Sequence, residues 1–229
     1  MPSCPLQSML IKTQGIVLRF VRYGESSVIV TLFTRQEGLQ SYMLKGIRSS
    51  KSGSKMALFQ PLNLLELVAY HREQNGINHI RESKCYYIFK NLNTDLRRQT
   101  IGFFLTEIMN KTIREQSHTE VLYEFLESVL IRLDTTNEPL ENFPIMFLID
   151  LSRHLGFGLQ RAEDISGHQF IPGFILQTLQ KFLDSDFADV RLSKDSRREL
   201  MTVLLNFYKG HLENFGQINS VEILRELLQ

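Results

Sequence analysis

The chain has 229 residues, 43% apolar and 22% charged, with a formal net charge of +1, a globular composition that excludes a disordered, collagen-like or disulfide-dense protein. That near-neutral total hides an asymmetry: residues 1–80 carry nine Lys/Arg against four acids, a balance of +5, and the remainder carries 17 against 21, a balance of −4. Oppositely charged halves point to two domains, the first of them suited to phosphate.

In chain order, MPSCPLQSML is too short and polar for a signal sequence, and no run of about 18 apolar residues reads as a membrane span. Gly15–Val21, rich in β-branched and aromatic residues, reads as a strand. A turn over Arg22–Ser26 leads to a second strand, Ser27–Thr34, and a turn over Arg35–Gly38 to a third, Leu39–Leu44. Next comes KGIRSSKSGSK, a connection whose cations Lys45, Arg48, Lys51 and Lys55 are spaced by Gly and Ser with no acid among them. Such a segment suits a polyanion, although a plain solvated loop would look the same. Leu62–Tyr70 reads as a buried strand, Asn75-Gly76 as a hairpin turn and Ile77–Glu82 as the returning strand. About five short strands in about 80 residues point to a small barrel or sandwich.

From Ser83 the period turns helical, with a short helix opening at Tyr86. Apolar residues recur at helical spacing from Leu96 to Met109 and from Thr119 to Leu133, the latter with Glu115, Glu120, Glu124 and Glu127 as a solvated face. Pro144 opens a helix that Gly156 ends. Residues 157–172 read as an irregular, Gly-punctuated loop. Three helices follow: Gly173–Leu183, one capped by Ser193, and one capped by Ser220.

A small barrel with a basic connection suits single-stranded nucleic acid: cations follow the phosphates, and exposed aromatics such as Tyr23, Tyr42 or Tyr70 stack on bases. Arg19, Arg22 and Arg35 are further candidate cations. Catalytic signals are weak. Asp184, Asp186 and Asp189 resemble a carboxylate cluster but read better as a solvated loop, and His154 reads as a helix-end histidine. The six histidines lack metal-ligand spacing, and no GxSxG, Walker A or HExxH motif occurs. Cys4 and Cys85 read as reduced thiols without a CxxC pair. A metal-dependent hydrolase or nuclease is therefore the weakest reading.

Lys12-Thr13-Gln14-Gly15-Ile16-Val17-Leu18, Tyr23-Gly24-Glu25, Val30-Thr31-Leu32-Phe33-Thr34, Gly38, Lys45-Gly46, Arg48, Lys51 and Leu58-Gln60-Pro61 stand in an order and spacing that resembles the opening of the bacterial RecO family of recombination mediators. Leu151-Ser152-Arg153-His154-Leu155-Gly156-Phe157 and Ser220-Val221-Glu222-Ile223-Leu224-Arg225 resemble, more loosely, the family's C-terminal domain. The resemblance implies a segregated α+β fold: an N-terminal five-stranded OB-fold β-barrel over residues 1–82, followed by an all-helical C-terminal domain over 83–229. It makes residues 1–8 an extension, since the family start matches Met9-Leu10-Ile11. It also implies binding of single- and double-stranded DNA, annealing of complementary strands, and help in loading the RecA recombinase, in a cytoplasmic, nucleoid-associated and non-enzymatic protein. The implied partners are RecR and the C-terminal tail of single-stranded DNA-binding protein. As an interaction adaptor, the helical domain would instead dock such a tail in an apolar groove beside a cation, for which Arg132, Arg153 and Lys181 are candidates. Many family members carry a four-cysteine zinc motif after the Leu-Gly-Phe block. Here Gly158–His168 contains no cysteine, so no zinc or other cofactor is expected and His168 is a plain loop residue.

Overall fold

The computed structural model of the chain describes residues 9–46, 53–71, 77–114, 119–165, 170–184 and 190–227. Five strands, β1 (Met9–Tyr23), β2 (Ser27–Thr34), β3 (Gly38–Leu44), β4 (Leu64–His71) and β5 (Asn78–Tyr87), close into a barrel in the order β1-β2-β3-β5-β4. Closure removes the exposed sheet edges that a small β unit must otherwise protect. All ladders are antiparallel except β3–β5, which is parallel, and the architecture is the expected OB-fold followed by helices.

The barrel core follows from strict alternation. Val28, Val30 and Leu32 of β2 meet Val17 of β1, Tyr42 of β3, and Leu65, Leu67 and Ala69 of β4, with Phe59 among them, each no more than 3% exposed. Gly38 opens β3 at φ +64°, and a Cβ there would stand 2.9 Å from the Thr119 side chain, so both torsion and space call for glycine.

Three expectations change. The basic connection is not all loop, because Gly53–Leu58 forms a helix, α1, that carries Lys55. Arg48, Lys51 and the Asn75-Gly76 turn lie outside the described residues, as do residues 1–8 and Cys4. The expected helix at Tyr86 is instead the end of β5, which continues past Ser83 to Tyr87. Two bulges disguise that strand: its register with β4 skips Arg81, between Ile80 and Glu82, and Tyr86, between Cys85 and Tyr87. A bulge breaks the period of two and re-aims the extra side chain.

The helices are α2 (Leu96–Thr112), α3 (Thr119–Thr135), α4 (Phe143–His154), α5 (Gly173–Asp184), α6 (Lys194–His211) and α7 (Ser220–Leu227), with a 3-10 turn at Ala162–Ile165. None among the described residues is long and apolar enough to cross a membrane. The chain divides into two compact units, residues 1–89 with 113–130 and residues 90–112 with 131–229. In the first, the glutamates read as a solvated face of α3 have partners. Glu120 and Glu124 pair with Arg35, and Glu127 accepts from the Tyr86 hydroxyl, which also lies 3.0 Å from that of Tyr123. The second unit is built around α4, whose FPIMFLI run is buried on every side, as expected of a helix without a polar face. Tyr208 of α6 donates to the Leu148 carbonyl at 2.6 Å, and Gly156, at φ +87°, follows α4 as expected. Ser193 caps α6 by accepting from the Ser196 amide.

Glu107 of α2 holds the start of α7. Its carboxylate accepts from the Asn219 and Ser220 amides, each at 2.9 Å, and from the Ser220 hydroxyl at 2.7 Å. Burial alone would raise its pKa, but these bonds to the charged form outweigh it and leave the carboxyl below the ordinary range. A folded-state pKa below the unfolded one stabilises above the unfolded pKa, and that stability disappears as pH falls through the folded value. Glu107→Gln is therefore expected to lower the melting temperature at neutral pH, by the equivalent of about 1 kcal/mol. The gap between variant and parent should close below pH 4.5, the ordinary glutamate value. Melting curves across a pH series check this, and a gap that stays constant into acid would contradict it.

Candidate nucleic-acid interface

Residues directly opposite in neighbouring strands present their side chains on one face. On this barrel, one row runs through Val21, Ile29, Met43, His79, Tyr70 and Leu10. Val21 is 58% exposed, Tyr70 40% and Leu10 45%, so the row faces outward. Arg19 stands two residues before Val21 on the same face, with its Nε 3.4 Å from the Thr31 hydroxyl, and Tyr23 stands two residues after Val21. Lys45 follows Met43 by two just past β3, and Arg81 follows His79 by two at the first β5 bulge. The result is an outward strip of exposed cations, Arg19, Lys45 and Arg81, interleaved with Tyr23, Tyr70 and His79. Glu82 Oε1 lies 3.5 Å from Arg81 Nε, but both side chains are more than half exposed, so the pair is weak and a phosphate can displace it.

Not every expected residue joins the strip. Arg22 pairs with Val28, which points into the barrel, so it occupies the exposed rim of the barrel end instead. Arg35 lies at the other end of β2. There its Nε donates to Glu120 at 2.9 Å, a second nitrogen pairs with Glu124, and Nη1 donates to Gln14 at 3.2 Å. Hydrogen bonding to Glu120 raises its pKa, and two carboxylates already balance its charge. Arg35→Ala is accordingly expected to leave single-stranded DNA affinity within about twofold, since no phosphate contact is removed. Fluorescence anisotropy checks this, and a tenfold loss would return Arg35 to the interface. Tyr42 cannot stack on a base: it is 1% exposed in the barrel core, where burial pushes its hydroxyl pKa up. Lys55 lies in α1, its side chain outside the described residues.

Sequence reading missed Arg81 and His79. Both sit in a segment that read only as a returning strand, and the one available signal was its alternation of His79, Arg81 and Ser83.

The first strand and everything built on it coincide with a known family. Residues 9–89 match the family model "Recombination protein O N terminal", and residues 93–175 match "Recombination protein O C terminal". The chain belongs to the RecO family. It is 32% identical to the DNA repair protein RecO of Christiangramia forsetii and 32% identical to that of Flavobacterium johnsoniae, in each case over 96% of this chain and 99% of the relative. The DNA repair protein RecO of Bacteroides fragilis is 29% identical over the same shares.

The stretch where many RecO proteins carry zinc cysteines is organised differently here. Asp164 accepts from the Gln160 and Arg161 amides at 3.1 and 2.8 Å, and Gln180 of α5 accepts from the Ala162 amide at 3.0 Å. Without a thiolate between Gly158 and His168, this donor set does not fit a tetrahedral zinc. His168, Asp186 and Asp189 lie outside the described residues, and no metal-binding cluster occurs among the described ones. Asp184 accepts from Gln180 at 2.8 Å. Cys85 is a free thiol whose pKa burial pushes up, away from reactivity.

In the helical unit of this RecO chain, Arg132 pairs with Glu138 at 3.1 Å and Arg153 with Asp150 at 2.7 Å. Burial pushes the Asp150 carboxyl up, against the pull of Arg153, His154 and Arg132, which places both arginines around one carboxylate. Lys181 is exposed in the last turn of α5. A different basic pocket is better formed: Lys194, Arg197, Arg198 and Arg225 surround Met201 and Leu224, with Glu141 as its acid. Arg225 donates to Glu222 and Thr202, but its Nε is buried without a hydrogen-bond partner among the described residues.

Proposed function

We propose that this chain is a non-enzymatic DNA-binding protein of recombinational repair. It binds single- and double-stranded DNA, anneals complementary strands and helps load the recombinase onto single-stranded DNA. The observation that carries this reading is the outward strip of Arg19, Lys45 and Arg81, interleaved with aromatics, on the barrel of a RecO-family chain. Cations on a sheet face neutralise phosphates without reading bases, so two strands can be brought together without sequence preference. Arg22 at the rim, with Arg48, Lys51 and Lys55 in the adjoining connection, would extend the same positive surface. The reading includes a cytoplasmic, nucleoid-associated location, no resident metal, and RecR as a partner.

A second role in the same protein is favoured by the helical pocket. Its four cations around two apolar side chains are what an acidic tail ending in a hydrophobic residue requires, and the tail of single-stranded DNA-binding protein has that chemistry. This pocket replaces Arg132, Arg153 and Lys181 as the first choice.

The test is strand annealing. Complementary oligonucleotides carrying a fluorescent donor and acceptor are expected to anneal at least tenfold faster with substoichiometric protein, without magnesium or ATP. An unchanged rate would overturn the annealing claim, and metal-dependent cleavage of the DNA would overturn the non-enzymatic one.

A further inference from the structure

The strip does not end on a flat surface. Between the end of β3, α1 and β5 lies an open cleft of about 430 Å³, within the usual range of about 300–1,000 Å³ for small-molecule pockets. It exists because β3 and β5 pair only at Tyr42–Asn78 and Met43–His79 among the described residues. Beyond those two pairs the strands part, and Leu58 and Phe59 fill the seam from below. The floor is apolar, from Phe59, Met43 and Ile80, while Lys45 and Arg81 stand on the two sides with His79 and Ser83. The bulge that isolates Arg81 from the β4–β5 ladder is what turns its side chain to this opening. Tyr70 stands directly opposite His79 in that ladder, outside the cleft and exposed.

An apolar floor between two cations, at the edge of an aromatic-bearing face, matches one chemistry: a flat heteroaromatic ring flanked by phosphates. We propose that this cleft takes one unstacked nucleobase of single-stranded DNA. Lys45 and Arg81 hold the phosphates on either side, and Tyr70 receives the neighbouring base. The inference rests on the DNA-binding reading but goes beyond it, since phosphate contact alone is indifferent to whether bases are present. It gives the barrel a preference for single strands, because a base paired in a duplex cannot enter. It also gives annealing a direction: a strand held by one base at a time leaves most Watson–Crick edges free, and pairing withdraws the held base.

The experiment compares a fluorescein-labelled dT oligomer of about 16 nucleotides with an abasic oligomer of the same length and charge, by anisotropy on the full chain. The parent protein is expected to bind the abasic oligomer about tenfold more weakly, the usual scale for losing one base contact. Ser83→Trp, which fills the cleft without changing charge, is expected to weaken dT binding by the same factor. It should leave abasic binding and the salt dependence unchanged. Equal affinity of the parent for the two oligomers would overturn the proposal whether or not the variant folds. So would a folded Ser83→Trp protein with parental dT affinity, the result expected if the cleft instead accepts an extended peptide along β5. In both cases DNA binding itself survives. Failure of the parent to bind either oligomer would overturn the DNA-binding reading and the cleft with it.

Discussion

Replacing Asp134 with alanine is expected to cost about 3 kcal/mol or more of stability, the largest single effect in the helical unit. Asp134 is 1% exposed, and its carboxylate accepts from three consecutive amides, Lys90 at 3.1 Å and Asn91 and Leu92 at 2.7 Å. The Asn91 side chain returns a bond to the Asp134 carbonyl at 2.7 Å. A buried carboxylate is tolerable only when its lone pairs are satisfied, and here the backbone satisfies them. Alanine leaves those amides without an acceptor and away from water, so the penalty is their desolvation as well as the lost bonds. Asp134→Asn keeps one acceptor oxygen and should lose about half as much. Equilibrium denaturation in urea checks both, and an alanine variant within 0.5 kcal/mol of the parent would show that the turn finds other acceptors.

How much of this was legible in sequence depended on the range of the interaction. The strand Ser27–Thr34 matched its expected bounds because a β-branched run between two turn signals is a local pattern. The end of β5 did not, because the bulges at Arg81 and Tyr86 break alternation and leave Tyr86 and Phe89 at a helix-like spacing. α1 was missed because Gly and Ser in KGIRSSKSGSK are weak helix formers. Its C-terminal end is held from outside, through packing of Met56, Leu58 and Phe59 on the barrel core.

The candidate site divides in the same way. Lys45 and Arg19 were visible as cations, but which face they share is a property of register, which composition does not encode. In GLQSYML, Tyr42 and Met43 are equally plausible inward residues. Pairing with Val30 rather than Ile29 buries Tyr42 and leaves Met43 outside beside His79. Arg35 and its glutamates are 85 and 89 positions apart, so no local pattern joins them.

The second large effect concerns binding. Arg19→Ala, Lys45→Ala and Arg81→Ala together are expected to weaken single-stranded DNA binding between about tenfold and about 100-fold at low salt. The basis is up to about 1 kcal/mol for each exposed ionic contact. All three side chains are exposed, and none belongs to the barrel core, so the melting temperature should stay within a few degrees of the parent. A loss of that size with retained folding separates the strip from a general surface charge effect. The net charge falls from +1 to −2 in the variant, so a control removing Arg35, Arg97 and Arg161 matches the charge while sparing the strip.

The central claim is that a specific outward strip of cations meets phosphates, and its most direct test is the salt dependence of single-stranded DNA affinity in parent and triple variant. Each phosphate contact contributes about −0.7 to the slope of log affinity against log salt on single strands. Three strip cations with Arg22 predict about −3 for the parent. Removing three of them should flatten the slope to about −1, while the charge-matched control keeps the parental value. A parental affinity indifferent to salt, or a triple variant with the parental slope, would contradict the account.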